Sequence, residues 1–220
     1  MRARRGNGRV RSRGQTLAEF AIAFPLFFLL LLFLIEFALL FSATLSINYA
    51  TRNASLLAAE SGSNAWADCV ILQQVEKDMT PPLDRALVRT VWIFKTDRSG
   101  SELSPKIQMA YDRTGSMGCV GPDGNTITVP YSLSASTPND TYPAGSGTRC
   151  DQLAGCLVGS PPAYVPLDSI GVKILYSYEY HTPIAGLLRN MFGSCNALPN
   201  CTTGVFDITW SNVMRMEPIL

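Results

Sequence analysis

From Phe20 to Leu45 apolar side chains run almost unbroken, apart from Glu36 and a few small hydroxyls. At ~1.5 Å per residue a helix over this stretch is about 39 Å long, more than the ~30 Å hydrocarbon core of a bilayer requires. It can span a membrane with length to spare. Past it, Ile47, Ala50, Ala54, Leu57 and Ala58 recur at helical spacing, Asn48, Arg52, Asn53 and Glu60 lie between them, and Gly62 supplies a stop. The pattern predicts one long helix from about Thr16 to Ser61, half in lipid and half out, within a unit spanning 15–62.

From Ala65 the pattern changes. A short helix is expected at Asp68 to Met79, where Val70, Ile71, Val75 and Met79 share a face and Pro81-Pro82 ends it. Strand signals follow at Ala86 to Lys95, more weakly at Ile107 to Tyr111 and Thr126 to Leu133, with turns at Thr96 to Gly100 and Gly121 to Asn125. The clearest strand is Ile170 to His181, in which Ile170, Val172, Ile174, Tyr176, Tyr178 and Tyr180 alternate with smaller or polar residues. Val205 to Met214 closes the chain as a last strand, and Ser134 to Pro166 reads as a proline- and glycine-rich loop containing Cys150 and Cys156. The fold class is therefore α+β: a long N-terminal helix, transmembrane at about 20–45 and extending outside, and then a mostly antiparallel sheet in one compact domain over 63–220.

Charge fixes the topology. Arg2, Arg4, Arg5, Arg9, Arg11 and Arg13 place six positive charges ahead of the apolar run with no acid among them, so residues 1–14 form a basic leader and the N-terminus is expected in the cytoplasm. Without those six, the 18 basic residues fall to 12 against 17 acidic, a net charge of −5 for the remainder. Nucleic-acid binding finds no support in this balance, and the arm serves as a topology determinant. A cleaved secretory signal has a shorter apolar region, about 7 to 15 residues, ending in a small-x-small site; here Ser42, Ala43 and Thr44 are a weak substitute. An uncleaved signal anchor, or cleavage on the cytoplasmic side at Gly14, remains.

Four residues in this region carry candidate roles. Gly14 lies where a cytoplasmic protease can reach it and lets an extended backbone fit a narrow cleft; the other reading is a flexible hinge. Glu19 sits at the cytoplasmic edge of the membrane segment, stabilised at least by the positive end of the helix dipole. Glu36 lies about 25 Å further along, near the outer edge of the hydrocarbon, where a snorkelling or partly protonated carboxyl and contact with a partner transmembrane helix are both open. Pro25 cannot donate to the carbonyl of Ala21, so a kink or local loosening is expected around Ala21 to Pro25.

Gly14 followed by Gln15-Thr16-Leu17-Ala18-Glu19-Phe20 resembles the type IV prepilin motif. The longer string, with Arg13-Gly14, Ala18-Glu19-Phe20, Pro25 and Ile35-Glu36-Phe37, resembles the TadE-like proteins of Tad/Flp pilus assembly over roughly residues 9 to 62. Thr182-Pro183 after the tyrosine-rich strand and the terminal Val213 to Glu217 also look familial. The resemblance implies a prepilin peptidase cutting after Gly14 to leave Gln15 as a new N-terminus, and pairing of Glu19 with that amino group in its own or a neighbouring chain. It also implies as partners a major Flp-type pilin, other minor pilins, an inner-membrane assembly platform and the membrane itself. Whether the role is of TadE or TadF type stays open.

Cys69, Cys119, Cys150, Cys156, Cys195 and Cys201 all lie on the outer side of the proposed span, an oxidising location where disulfides are the default. Two pairs share the spacing C-x5-C, which favours Cys150 with Cys156 and Cys195 with Cys201, leaving Cys69 with Cys119; six cysteines allow 15 connectivities. Zinc is disfavoured by the absence of C-x2-C and the single histidine, His181, which reads as a surface or packing residue. Asp123 serves a turn or, less expectedly, calcium, and sequons begin at Asn53, Asn139 and Asn200. No phosphate-cradling loop, nucleophile elbow or zinc-protease helix occurs, so no cofactor, metal or catalytic residue is assigned and the chain is not expected to be an enzyme. The expectation is a structural pilin-like subunit. Its rival is an uncleaved single-pass protein whose outer domain binds a ligand or partner, with an extracytoplasmic enzyme third.

Overall fold

The computed structural model of the protein describes residues 15–81, 83–137, 142, 144–145, 149–152, 156–158, 163–182 and 205–216. The basic leader with Gly14, and the pair Cys195 and Cys201, lie outside them. Helix α1 runs Gln15–Ser61 and α2 Ala67–Asp78; a 3₁₀ turn, Arg85–Leu87, leads into β1 (Val88–Thr96). The remaining strands are β2 (Gln108–Asp112), β3 (Met117–Val120), β4 (Thr126–Val129), β5 (Ser132–Thr137), β6 (Cys156–Val158), β7 (Ala163–Val165), β8 (Ser169–Glu179) and β9 (Val205–Arg215). Five of them form one sheet in the order β5-β2-β1-β8-β9, while β3 with β4 and β6 with β7 make two small hairpins. Every pairing among the described residues is antiparallel, which gives the expected α+β fold.

Helix α1 has two environments. The helix continues through Pro25. Leu17 to Ile35 project with their side chains exposed, Leu32 and Phe33 being partly covered. From Glu36 onward one face lies on the sheet, and Ala43, Ile47, Ala50, Ala54 and Ala58 are buried. Small residues on this face let the helix axis come close to β8 and β9, so Ile170, Val172, Ile174 and Ile208 fill the space between them. Beside them on the same sheet Val91 and Ile93 of β1, together with Ile71, Leu72, Val75 and Met79 of α2 and its end, complete the core. The fully uncovered part of the helix therefore ends near Glu36. The apolar residues between there and residue 45 are spent partly on the protein's own sheet.

α1 ends as its sequence dictates. Gly62 takes φ +55°, its N–H reaching the Ala58 carbonyl at 3.3 Å, and the Ser61 hydroxyl donates to the Leu57 carbonyl at 2.6 Å. The reversal lays α2 beside α1. On β9, Asn212 donates its side-chain amide to Thr51 Oγ1 at 2.7 Å and to Asn48 Oδ1 at 3.3 Å, tying strand to helix far from the bare end.

Two strand expectations are corrected. Thr126 to Leu133 is two strands in different sheets, β4 and β5, because Pro130 has no N–H for a ladder and Tyr131 turns inward to donate its hydroxyl to Glu76 of α2 at 2.7 Å. The loop expected over Ser134 to Pro166 contains the end of β5 and the β6–β7 hairpin. Strand β3 had no clear sequence signal. Its four residues include Gly118, and it is held by pairing with β4 and by the disulfide from Cys119 to Cys69 of α2.

Candidate functional site

The site begins with a carboxylate that the sequence places near the edge of a membrane. Glu36 stands just below the first residues of α1 that pack on the sheet, and it is 3% exposed. Its cover is the C-terminal end of β8, where the strand stops pairing and its backbone N–H groups turn toward the helix. Tyr178 donates its hydroxyl to Glu36 Oε1 at 2.8 Å. The His181 N–H lies 3.2 Å from both carboxylate oxygens, and the Thr182 N–H donates to Oε2 at 2.9 Å. One phenol and two backbone amides thus meet a single carboxylate, leaving the donors with no need of water.

Alternation along β8 explains the geometry. Tyr176 and Tyr178 point inward with Ile170, Val172 and Ile174, and a phenol at the last inward position can reach past the helix backbone to a side chain on its near face. Burial and the neighbouring Glu36 carboxylate both push the Tyr178 hydroxyl above its ordinary range, so it remains a donor. The ring of Tyr180 meets that of Tyr178 edge-on with centroids 5.8 Å apart, and the His181 ring stands 5.7 Å away while its side chain stays exposed. His181 contributes its backbone, a role that its side-chain chemistry does not announce.

The arrangement changes the reading of Glu36. Beside the snorkelling carboxyl and the partner-helix contact there is a third setting, in which the partners of Glu36 are residues of its own domain, 142 to 146 positions further along the chain. The arrangement can fix the angle and height at which the domain sits on its helix. Among the described residues no cluster of histidine, cysteine or carboxylate groups could hold a metal ion.

Glu19 lies on the exposed part of α1, about 25 Å of helix from Glu36. The structure does not bring these two carboxylates together.

A second buried polar group holds the far end of the domain. Arg149, whose side chain is shut off from solvent, donates to Asp68 Oδ1 at 2.6 Å and to the Tyr142 carbonyl at 3.0 Å. Asp68 Oδ2 also accepts from the Tyr111 hydroxyl at 2.6 Å. Just after this arginine the chain is pinned twice more: the Cys150 N–H donates to Asp168, and Asp151 accepts from the Ser63 N–H at 2.7 Å. Lys95 pairs with Asp168 at 2.5 Å. Cys69 is bonded to Cys119 and Cys150 to Cys156, with Cα atoms 6.4 and 5.6 Å apart, two of the three pairs that spacing favoured. Asp68 and Arg149 directly precede one cysteine of each bond, so the ion pair and both disulfides form one knot where α1 turns into α2. None of these charged residues stood out in the sequence, because nothing local marks a charge as buried.

Together these features define a class: one long helix, uncovered along its first part, that carries a disulfide-bonded α+β domain. Among the described residues one helix, α1, is long and apolar enough to cross a membrane. Residues 14–55 match the family model described as TadE-like protein, the family that the N-terminal motif resembles. The match supports involvement in Tad pilus assembly as a minor pilin-like protein. It covers Glu19, Pro25, Glu36 and the start of the helix–sheet contact, and stops short of the strands that supply the donors to Glu36. No curated protein and no solved structure matches the chain.

Proposed function

We propose that the protein is a minor pilin or pseudopilin-like structural subunit of a Tad/Flp pilus or related secretion apparatus, with no catalysis of its own. The basic leader lies in the cytoplasm and is removed after Gly14 by a prepilin peptidase, leaving Gln15 as the N-terminus. The membrane helix is then handed to an inner-membrane assembly platform beside the major pilin and other minor pilins. The disulfide-bonded domain faces outward, serving pilus assembly or adhesion.

One observation carries most weight. The TadE-like match covers two of the carboxylates of α1, and they have different settings: Glu36 is held within its own domain, whereas Glu19 stands on the exposed segment that enters lipid. Glu19 lies four residues from Gln15, at the end of the helix where a new N-terminus would stand, so it is the carboxylate placed to guide contact with a neighbouring N-terminal amine. A buried ion pair and disulfides make the outer domain rigid, as suits a part placed at a tip or a joint.

The test is to express the full chain with and without a prepilin peptidase and determine the intact mass and first residue of the membrane-extracted product. A chain beginning at Gln15 only when the peptidase is present is expected. Retention of Arg2 to Gly14 in both cases would exclude the pilin pathway and favour a signal-anchored binding protein.

A further inference from the structure

The contacts of Glu36 fix how the domain stands over the bilayer, and this gives one end of the sheet a ligand. The exposed run of α1 from Leu17 to Ile35 is about 28 Å long at ~1.5 Å per residue, close to the ~30 Å hydrocarbon core. Glu36 therefore marks the outer hydrocarbon boundary. Tyr178, bonded to Glu36, is the cross-strand partner of Phe206 on β9, so Phe206 lies at the same height. α1 and β8 run side by side, since Glu36 meets Tyr178 while Asn48 and Thr51 meet Asn212, the partner of Val172. The strands thus rise along the helix and away from the membrane.

At that height Phe37 is 66% exposed and Phe206 49% exposed. The headgroup layer adds roughly 5 to 8 Å beyond the hydrocarbon on each side, enough to cover both rings. Trp210, four residues further along β9, stands about 13 Å higher and clears it. Charge narrows the lipid. Glu179 and Asp207 flank the Phe206 position. Acidic groups at this level suit the ammonium of a zwitterionic headgroup and oppose an anionic one.

We propose that this end of the sheet is a lipid-binding seat, with Phe206 inserted in the headgroup layer of a zwitterionic bilayer beside Phe37. The seat holds the sheet upright and puts the α1–α2 turn, with its ion pair and disulfides, about 37 Å above the hydrocarbon. It rests on the reading of α1 as a membrane span and is independent of cleavage at Gly14.

The full chain, one copy per phosphatidylcholine nanodisc, is examined with single tryptophans: F206W or F37W in a W66F/W92F/W210F background, and the native Trp210 alone after W66F/W92F. The lipids carry bromine near the top or near the end of the acyl chain. The F206W and F37W proteins are expected to lose most of their fluorescence to the shallow bromine, and the protein retaining Trp210 to keep its emission. Loss in F37W without loss in F206W overturns the seat, and no loss in either overturns the boundary on which it stands. Equal loss from Trp210 and in F206W would mean a domain lying flat and overturns it as well. Shielding of the F206W indole from aqueous quencher that occurs only with two copies per disc, without bromine quenching, assigns the face to a second copy instead. Exchange for phosphatidylglycerol is expected to weaken quenching in F206W and spare F37W; equal or stronger quenching refutes the headgroup assignment.

Discussion

Removing the Glu36 carboxylate should loosen the domain from its helix by an amount that the geometry bounds. Glu36→Ala leaves the Thr182 N–H, bonded at 2.9 Å, the His181 N–H and the Tyr178 hydroxyl without their acceptor. An orphaned buried donor costs ~1–3 kcal/mol, and with partial access of water to His181 the total is about 3–5 kcal/mol. Tyr178→Phe removes one bond to a charged acceptor and should cost ~1.5–3 kcal/mol. Glu36→Gln falls near this lower range, since its amide can donate to the Tyr178 hydroxyl while its carbonyl keeps the two backbone donors. In a double-mutant cycle, Glu36→Ala with Tyr178→Phe should cost less than the sum of the two, because the phenol is already orphaned in the first. The assay is urea unfolding of the full chain in nanodiscs, followed by tryptophan fluorescence, with amide exchange read at His181 and Thr182. Tyr49→Ala, exposed on the part of α1 well above that turn, serves as control. If Glu36→Ala stays within ~0.5 kcal/mol of the parent and both amides remain protected, Glu36 does not hold the domain and the argument fails.

Two further outcomes concern the far end of the domain. The Cys69–Cys119 bond closes a sequence separation of 50 and Cys150–Cys156 one of 6, so on chain-entropy grounds their removal should cost about 4 and about 2 kcal/mol. Paired Cys→Ala variants in the same unfolding assay should keep that order, and the reverse order would show that native-state contacts outweigh loop closure. Arg149→Met strands the buried Asp68 with only neutral donors and should cost ~3–5 kcal/mol, whereas the double change Asp68→Leu with Arg149→Met should recover much of it. A double variant no more stable than Arg149→Met would mean that packing, not an unpaired charge, set the loss.

The long helix, the strands β1, β8 and β9, and the class of the fold were legible because each rests on a local signal: an apolar run, a period of two, a glycine at a stop. The candidate site was legible by half. Glu36 stands out in the sequence because a carboxylate in an apolar run has a high energy unless something receives it, but what receives it does not stand out. Two of its three donors are backbone N–H groups at His181 and Thr182, and a backbone amide carries no residue identity for a sequence to display. Likewise the split of Thr126 to Leu133 follows from Tyr131 finding Glu76, and β3 exists because Ile127 and Cys69 hold Cys119.

The sequence by itself therefore determined where the chain can enter lipid, how long its helix is, and that a charge inside it needs a partner. Only the tertiary structure decided that the partner is the end of β8, 142 residues away, and so where the uncovered part of the helix ends. The physical reason is that a period along the chain reports which face of an element is apolar, whereas the neighbour of a polar group is set by how the elements cross.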